Sequence, residues 1–233
     1  MVESIGPALR AARLRQKLSL RSVAADIGVS ASLLSQVETG KTQPSVSTFY
    51  ALVNRLGISV DQLFGFSLDQ ATKQGPRSSA TAGGGKQRTR ATTVAFSDAG
   101  GVVQRAGQHP TLEMEKGVIW ELLTSGDRAV VDSLLVTYRP GASSSVGGRM
   151  MRHNGVEYAY LLDGVLTLKL EFDTYELHPG DSLSFDSTRP HQYVNNGDVD
   201  ARGLWFVVGR QEMEASEQAA ALLAQAGFGG GKG

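Results

Sequence analysis

The chain is 233 residues long, carries 23 Lys/Arg against 23 Asp/Glu, and contains no cysteine. That length allows two domains with separate cores, and the missing cysteine excludes disulfides, thiolate nucleophiles and zinc–thiolate sites. With no apolar run long enough to span a bilayer and no apolar segment at the N-terminus, a cytoplasmic protein without membrane attachment is expected.

The balanced charge hides a split. Residues 1–66 hold seven Lys/Arg and four Asp/Glu, residues 67–93 hold five and one, and residues 94–233 hold eleven and eighteen. Only the basic front is expected to meet a polyanion; the acidic back should be repelled by one.

In chain order, Ile5, Leu9, Ala12 and Leu14 form the apolar side of a first helix, with Arg10, Arg13, Arg15 and Lys17 on its polar side. Residues 20–39, LRSVAADIGVSASLLSQVET, are the most informative stretch. Val23, Ala24 and Ile27 make a buried stripe on a second helix, which Ser19 caps. Gly28 falls where the chain reverses, at a left-handed φ that a Cβ would oppose. Ser30 caps a third helix, whose Leu34 and Val37 turn back onto the second. Ala31, Ser32, Ser35 and Gln36 then face outward. They are small or polar, which suits a helix lying in the major groove of double-stranded DNA. A plain helical hairpin is the competing reading, and the register of the Ala, Gly and apolar positions favours DNA. Gly40 to Ser45 reads as a turn, Ser45 caps a helix from Val46 to Leu56, and Asp61 to Phe64 makes a fifth short helix.

These five helices resemble the lambda-repressor-like, Cro/C1-type (XRE) DNA-binding domain from Ile5 to Phe64. The resemblance implies that Ser32, Ser35 and Gln36 face bases, and that Arg21, Ser30, Thr39, Lys41 and Gln43 approach phosphates. The division agrees with chemistry: amides and hydroxyls read base edges, while Lys, Arg and helix N-termini hold the backbone.

Residues 67–93 contain QGPRSSATAGGGKQRTRATT and almost no large apolar residue. A flexible basic linker is expected there. Its Lys86, Arg88 and Arg90 either brush DNA phosphates or belong to a solvated tether.

From Val94 the pattern changes to short apolar or alternating runs between turn signals. Strands are expected at Gly117–Trp120, Ala129–Tyr138, Glu157–Leu162, Val165–Phe172, Ser182–Phe185 and Leu204–Val208. This spacing argues for an antiparallel sandwich or barrel. Asp163-Gly164, between two apolar runs, reads as a two-residue hairpin.

Two spaced motifs sharpen that reading. Gly141…Met151-Arg152-His153…Glu157…Gly164 has the intervals of a first cupin motif, and Gly180-Asp181…His191…Asn195 those of a second. The region resembles a cupin, an RmlC-like jelly-roll barrel, over roughly residues 100–209. The family's first histidine is Met151 here. His153, Glu157 and His191 remain, and they either hold a divalent metal or form a hydrogen-bonded cluster lining a ligand pocket. A thioether is a poor ligand for such ions. Leu135, Tyr160, Phe185 and Trp205 are candidate apolar lining, with core packing as the alternative. Arg149, Gln192 and Tyr193 are candidate polar lining, and Arg149 either pairs with a ligand anion or is a solvated loop residue. His109 and His178 match no ligand position.

The combination resembles the XRE–cupin bacterial transcriptional regulators. The expected organisation is a DNA-binding domain over 1–66, a linker over 67–93, a small-molecule-sensing cupin over 94–210, and a helix with a Gly-rich tail over 211–233. The resemblance implies a homodimer on an operator, modulated by a small-molecule effector. Two alternatives stand: a metal-dependent cupin enzyme (a dioxygenase or isomerase) tethered to a DNA-binding domain, and a scaffold whose cupin only dimerises. Met151 weighs against the enzyme, as does the need of a sequence reader for ligand affinity and not turnover.

Overall fold

The structure, a computed structural model, describes residues 5–58, 60, 63, 103–123 and 131–209. The expected linker and the C-terminal helix and tail lie outside the described residues. Among the described residues, no helix is long and apolar enough to cross a membrane.

Four helices come first: α1 (Gly6–Arg15), α2 (Leu20–Asp26), α3 (Ala31–Glu38) and α4 (Val46–Leu56). All three serines read as caps act as caps. Ser19 Oγ accepts from the Ser22 amide at 3.0 Å, Ser30 Oγ from Leu33 at 3.1 Å, and Ser45 Oγ from Thr48 at 3.2 Å. Each satisfies an otherwise unpaired amide at a helix start, a contribution of about 1 kcal/mol. Gly28 takes the expected left-handed turn between α2 and α3, at φ +69°. Val23, Ala24, Leu34 and Val37 are buried at the α2–α3 contact, and Phe49, Leu52, Val53 and Leu56 of α4 complete that core.

Three expectations are corrected here. The described residues form four helices, not five; of Asp61–Phe64 only Leu63 is described. Leu14 is 54 % exposed. Arg13 is buried, not solvated, because Glu38 at the end of α3 faces it across the bundle.

Nine strands follow: β1 (Thr111–Glu113), β2 (Val118–Leu122), β3 (Val131–Tyr138), β4 (Val156–Asp163), β5 (Leu166–Leu170), β6 (Asp173–Leu177), β7 (Ser182–Asp186), β8 (His191–Val194) and β9 (Ala201–Val208). They form a six-stranded sheet, β1-β2-β3-β9-β4-β7, and a three-stranded sheet, β6-β5-β8. All the pairings are antiparallel. The two do not close into a barrel. Their inner faces meet as a sandwich, where Tyr193 of β8 contacts Tyr138 of β3 and Trp205 of β9.

The openness has a local cause. β4 pairs with β7 and β9, while β5 pairs with β6 and β8. Asp163-Gly164 is therefore no hairpin; it carries the chain from one sheet to the other. Gly164 takes φ +74° there, and a Cβ would collide with the Asp200 carbonyl. β6 gave no sequence signal because it buries nothing: four of its five residues are exposed.

The helical and β regions touch. The Ser47 amide donates to the Ser144 carbonyl and the Glu115 amide to the Pro44 carbonyl, both at 2.9 Å. The Phe49 and Tyr50 rings of α4 pack on Trp120 of β2 at centroid distances of 5.4 and 5.6 Å.

Candidate functional site

Two surfaces carry the candidate residues. On α3, Ser32, Ser35 and Gln36 are exposed on the side opposite buried Leu34 and Val37. Arg21, Ser30, Thr39 and Lys41 are exposed around them, and Ala31 and Gln43 are half-buried. The Gln36 amide reaches only a long 3.5 Å contact to Ser32 Oγ, so its hydrogen-bonding groups remain available. Thr39 Oγ1 donates to the Ser35 carbonyl at 2.8 Å and closes the helix end.

The second surface is internal. Strand alternation turns Glu157 of β4 and His191 of β8 into the sandwich, and the loop before β4 brings His153 beside them. One ligand atom from each of the three lies within 4.8 Å of the others, and all three side chains are buried. Glu157 Oε2 lies 3.3 Å from His153 Nε2 and 3.5 Å from His191 Nε2. Neither Nε2 makes a hydrogen bond.

The outer side of each ring explains this. His191 Nδ1 lies 2.8 Å from the Arg189 carbonyl, and His153 Nδ1 lies 3.3 Å from that of Asn154. A carbonyl only accepts, so each Nδ1 carries the proton. In the neutral ring each Nε2 then offers a lone pair to the interior, the arrangement a metal ion requires of histidine, and in the protonated ring it turns a positive N–H toward Glu157. Two orphaned imidazole nitrogens and a carboxylate fit a first-row divalent ion.

Burial works to raise the Glu157 carboxyl, but contacts with His153, His191 and Tyr193 outweigh it and hold the group below its ordinary value. Tyr193 donates its hydroxyl to Glu157 Oε1 at 2.6 Å. Burial pushes the Tyr193 phenol well above its ordinary value, with the Glu157 charge adding to the effect. Burial also lowers His191, against the attraction of Glu157.

Beside the cluster lies a cavity of about 20 Å³, walled by Trp120, Leu134, Tyr138, Met151, Glu157, Tyr193 and Trp205, and by Val46 and Tyr50 of α4. Phe185 meets the His191 ring edge-on at 4.9 Å. Met151 occupies the wall at the position of the missing histidine, bridged to His191 by two backbone hydrogen bonds of 2.8 and 3.0 Å.

Four lining expectations fail on strand geometry or reach. Tyr160 is 45 % exposed on the outer face of β4. Leu135 lies on the opposite face of β3 from Leu134 and Val136, which do line the cavity. Gln192 faces away from His191 and donates to Ser143 Oγ at 2.9 Å. Arg149 is exposed and donates to the Gly28 carbonyl at 2.9 Å, outside the cavity. His178 is exposed, and His109 lies 3.7 Å from Glu121; neither belongs to the cluster. Of the wall residues that the sequence did not suggest, Trp120, Leu134, Val136, Tyr138 and Val207 are inward strand positions, and the other two, Val46 and Tyr50, come from the helical domain. Both read as ordinary apolar positions of a helix, and nothing local marks their contact with a distant loop.

The family model described as Helix-turn-helix matches residues 9–63, and the one described as Cupin domain matches residues 134–207. Over 197 residues the chain is 25 % identical to the HTH-type transcriptional regulator PuuR of Escherichia coli (strain K12), covering 83 % of this chain and 89 % of that protein. PuuR of Shigella flexneri matches equally. The crystal structure of an HTH_3 family transcriptional regulator from Vibrio cholerae shares the fold, with a TM-score of 0.57 at 18 % identity, covering 88 % of this chain and 95 % of that one. A helix-turn-helix unit joined to a cupin in one chain, matched along nearly its whole length by a transcriptional regulator, places this protein in the XRE–cupin family of DNA-binding transcriptional regulators.

Proposed function

We propose that this regulator reads an operator as a homodimer and that its β-sandwich binds a small effector at His153, Glu157 and His191. The observation that carries the effector reading is the pair of buried Nε2 atoms that face Glu157 without a hydrogen-bond partner. Buried polar atoms are rarely left unpaired in proteins, so two converging on one carboxylate mark a place for a third group. The chemistry favours a cation. The cavity wall holds one carboxylate, no Lys or Arg, and several aromatic residues. A divalent metal ion, alone or carrying an organic ligand, fits that donor set.

On the DNA side, Ser32, Ser35 and Gln36 are assigned to base edges. Arg21, Ser30, Thr39, Lys41 and Gln43 are assigned to phosphates, with Ala31 against the groove. A single eight-residue helix reads only a few base pairs, so two copies one helical turn apart supply the specificity. The enzyme reading shares the donor set but needs space for a substrate beside the metal. Met151, at the position of the family's first histidine, removes one ligand from that set and favours the sensor.

Titration calorimetry with Mn(II), Ni(II) and Zn(II) tests the site. The wild-type protein should bind at least one of them, His191→Ala should lose that binding, and Met151→His should tighten it. Equal and negligible binding by wild type and Met151→His would remove the metal reading.

A further inference from the structure

The DNA-binding domain supplies part of the cavity wall: Val46 and Tyr50, both on α4. The Tyr50 ring lies flat on His153, with centroids 4.1 Å apart and planes 16° apart. On the other side Tyr50 and Phe49 press on Trp120. A polar collar surrounds this plug: Ser47 to Ser144, Glu115 to Pro44, and Arg149 to the Gly28 carbonyl. Gly28 is the turn that leads into α3, so the loop bearing Arg149 grips the DNA-binding unit just ahead of its recognition helix.

We propose that α4 is the lid of the effector pocket, with Tyr50 as the plug, and that an organic effector enters only when the DNA-binding domain lifts from the sandwich. The size of the cavity carries the argument. About 20 Å³ accommodates a water molecule or a bare ion. Small-molecule pockets are commonly about 300–1,000 Å³. A ligand larger than an ion therefore cannot share the site with Tyr50 in place. An ion at the three donor atoms leaves the stack intact.

This gives the coupling between pocket and DNA a physical path. α4 packs on α1 and α2 of its own domain, so its release moves the helical unit as a body. The exposed face of α3 is not covered in the docked state. Docking thus leaves DNA reading possible and fixes the direction in which the recognition helix points. Organic ligand and docked lid exclude each other, so each weakens the other by the same factor. The regulatory use of the lid rests on the effector reading above; the lid itself does not.

The chain contains no cysteine, so Met151→Cys places a single thiol on the cavity wall beneath Tyr50. A reagent that adds only an S-methyl group should label it readily. The bulky 5,5′-dithiobis(2-nitrobenzoate) should label it at least tenfold more slowly, and Tyr50→Ala or Arg149→Ala should raise the bulky rate at least tenfold. A second measurement leaves the wall intact. Trp120 and Trp205, the two tryptophans of the chain, both line this cavity, and acrylamide quenching of their emission should rise severalfold in Arg149→Ala. Bulky labelling as fast as small, with quenching unchanged by Arg149→Ala, would overturn the lid. Neither measurement uses metal, effector or operator, so a failure here leaves the effector reading standing.

Discussion

Arg13 and Glu38, twenty-five residues apart, form a two-pronged ion pair inside the helical domain. Nε donates to Oε1 at 2.6 Å and Nη2 to Oε2 at 2.7 Å, while Nη1 holds the Leu18 carbonyl at 2.9 Å. The pair ties α1 to the C-terminal end of α3 and so fixes the recognition helix from the side away from DNA. Removing one partner leaves a buried charge alone. Glu38→Ala is expected to destabilise the protein by about 3–5 kcal/mol. Replacing both with apolar residues of similar volume should recover most of that loss. Urea unfolding of the single and double variants measures it, and an exposed-pair value below about 1 kcal/mol would contradict the burial.

The two classes of DNA contact should separate in binding assays. Gln36→Ala is expected to lower operator affinity by about 1–3 kcal/mol and to relax preference at one base pair per half-site. Lys41→Ala should weaken operator and random duplex alike and reduce the salt dependence by about one counterion. Equal losses for operator and random DNA in Gln36→Ala would remove its base-reading role.

Acid should loosen the sandwich. His191 is held below its ordinary value of 6.5 by burial, and Glu157 sits below its ordinary 4.5. In both cases the unfolded chain takes up a proton before the folded one does, so both groups stabilise the fold above their ordinary values and lose that contribution as pH falls. The midpoint of thermal unfolding should drop between pH 7 and 5 through His191, and further below 4.5 through Glu157. His191→Gln should flatten the first part of the curve. An unchanged slope in that variant would show that another group governs it.

Two glycines with nearly equal backbone angles should respond differently to alanine. Gly164 at φ +74° abuts the Asp200 carbonyl, whereas Gly141 at φ +73° has open space where a Cβ would go. Gly141→Ala should cost only backbone strain, about 1–3 kcal/mol. Gly164→Ala should cost that plus the displacement of the strand start at Ala201. Thermal denaturation of the two variants side by side decides it, and equal losses would place no steric role at the sheet crossover.

The helical domain was legible in the sequence because its signals are local. Ser19, Ser30 and Ser45 cap within three residues, Gly28 turns on its own φ, and a 3.6-residue period sorts Leu34 and Val37 from Ser32, Ser35 and Gln36. The three inward groups His153, Glu157 and His191 were legible for a related reason: their motif spacing survives whatever the exact strand pairing. Tertiary structure alone decided what depends on distant partners. The turn at Asp163-Gly164 looks like a hairpin until β9 and β7 claim β4, and the sheets stay open for that reason. Arg13 is a surface residue in a helical pattern until Glu38 meets it. Tyr160 and Leu135 change faces with a one-residue shift of strand phase. The plugging of the cavity by Tyr50 required two domains to be packed together, and no period or spacing within either one encodes the other's surface.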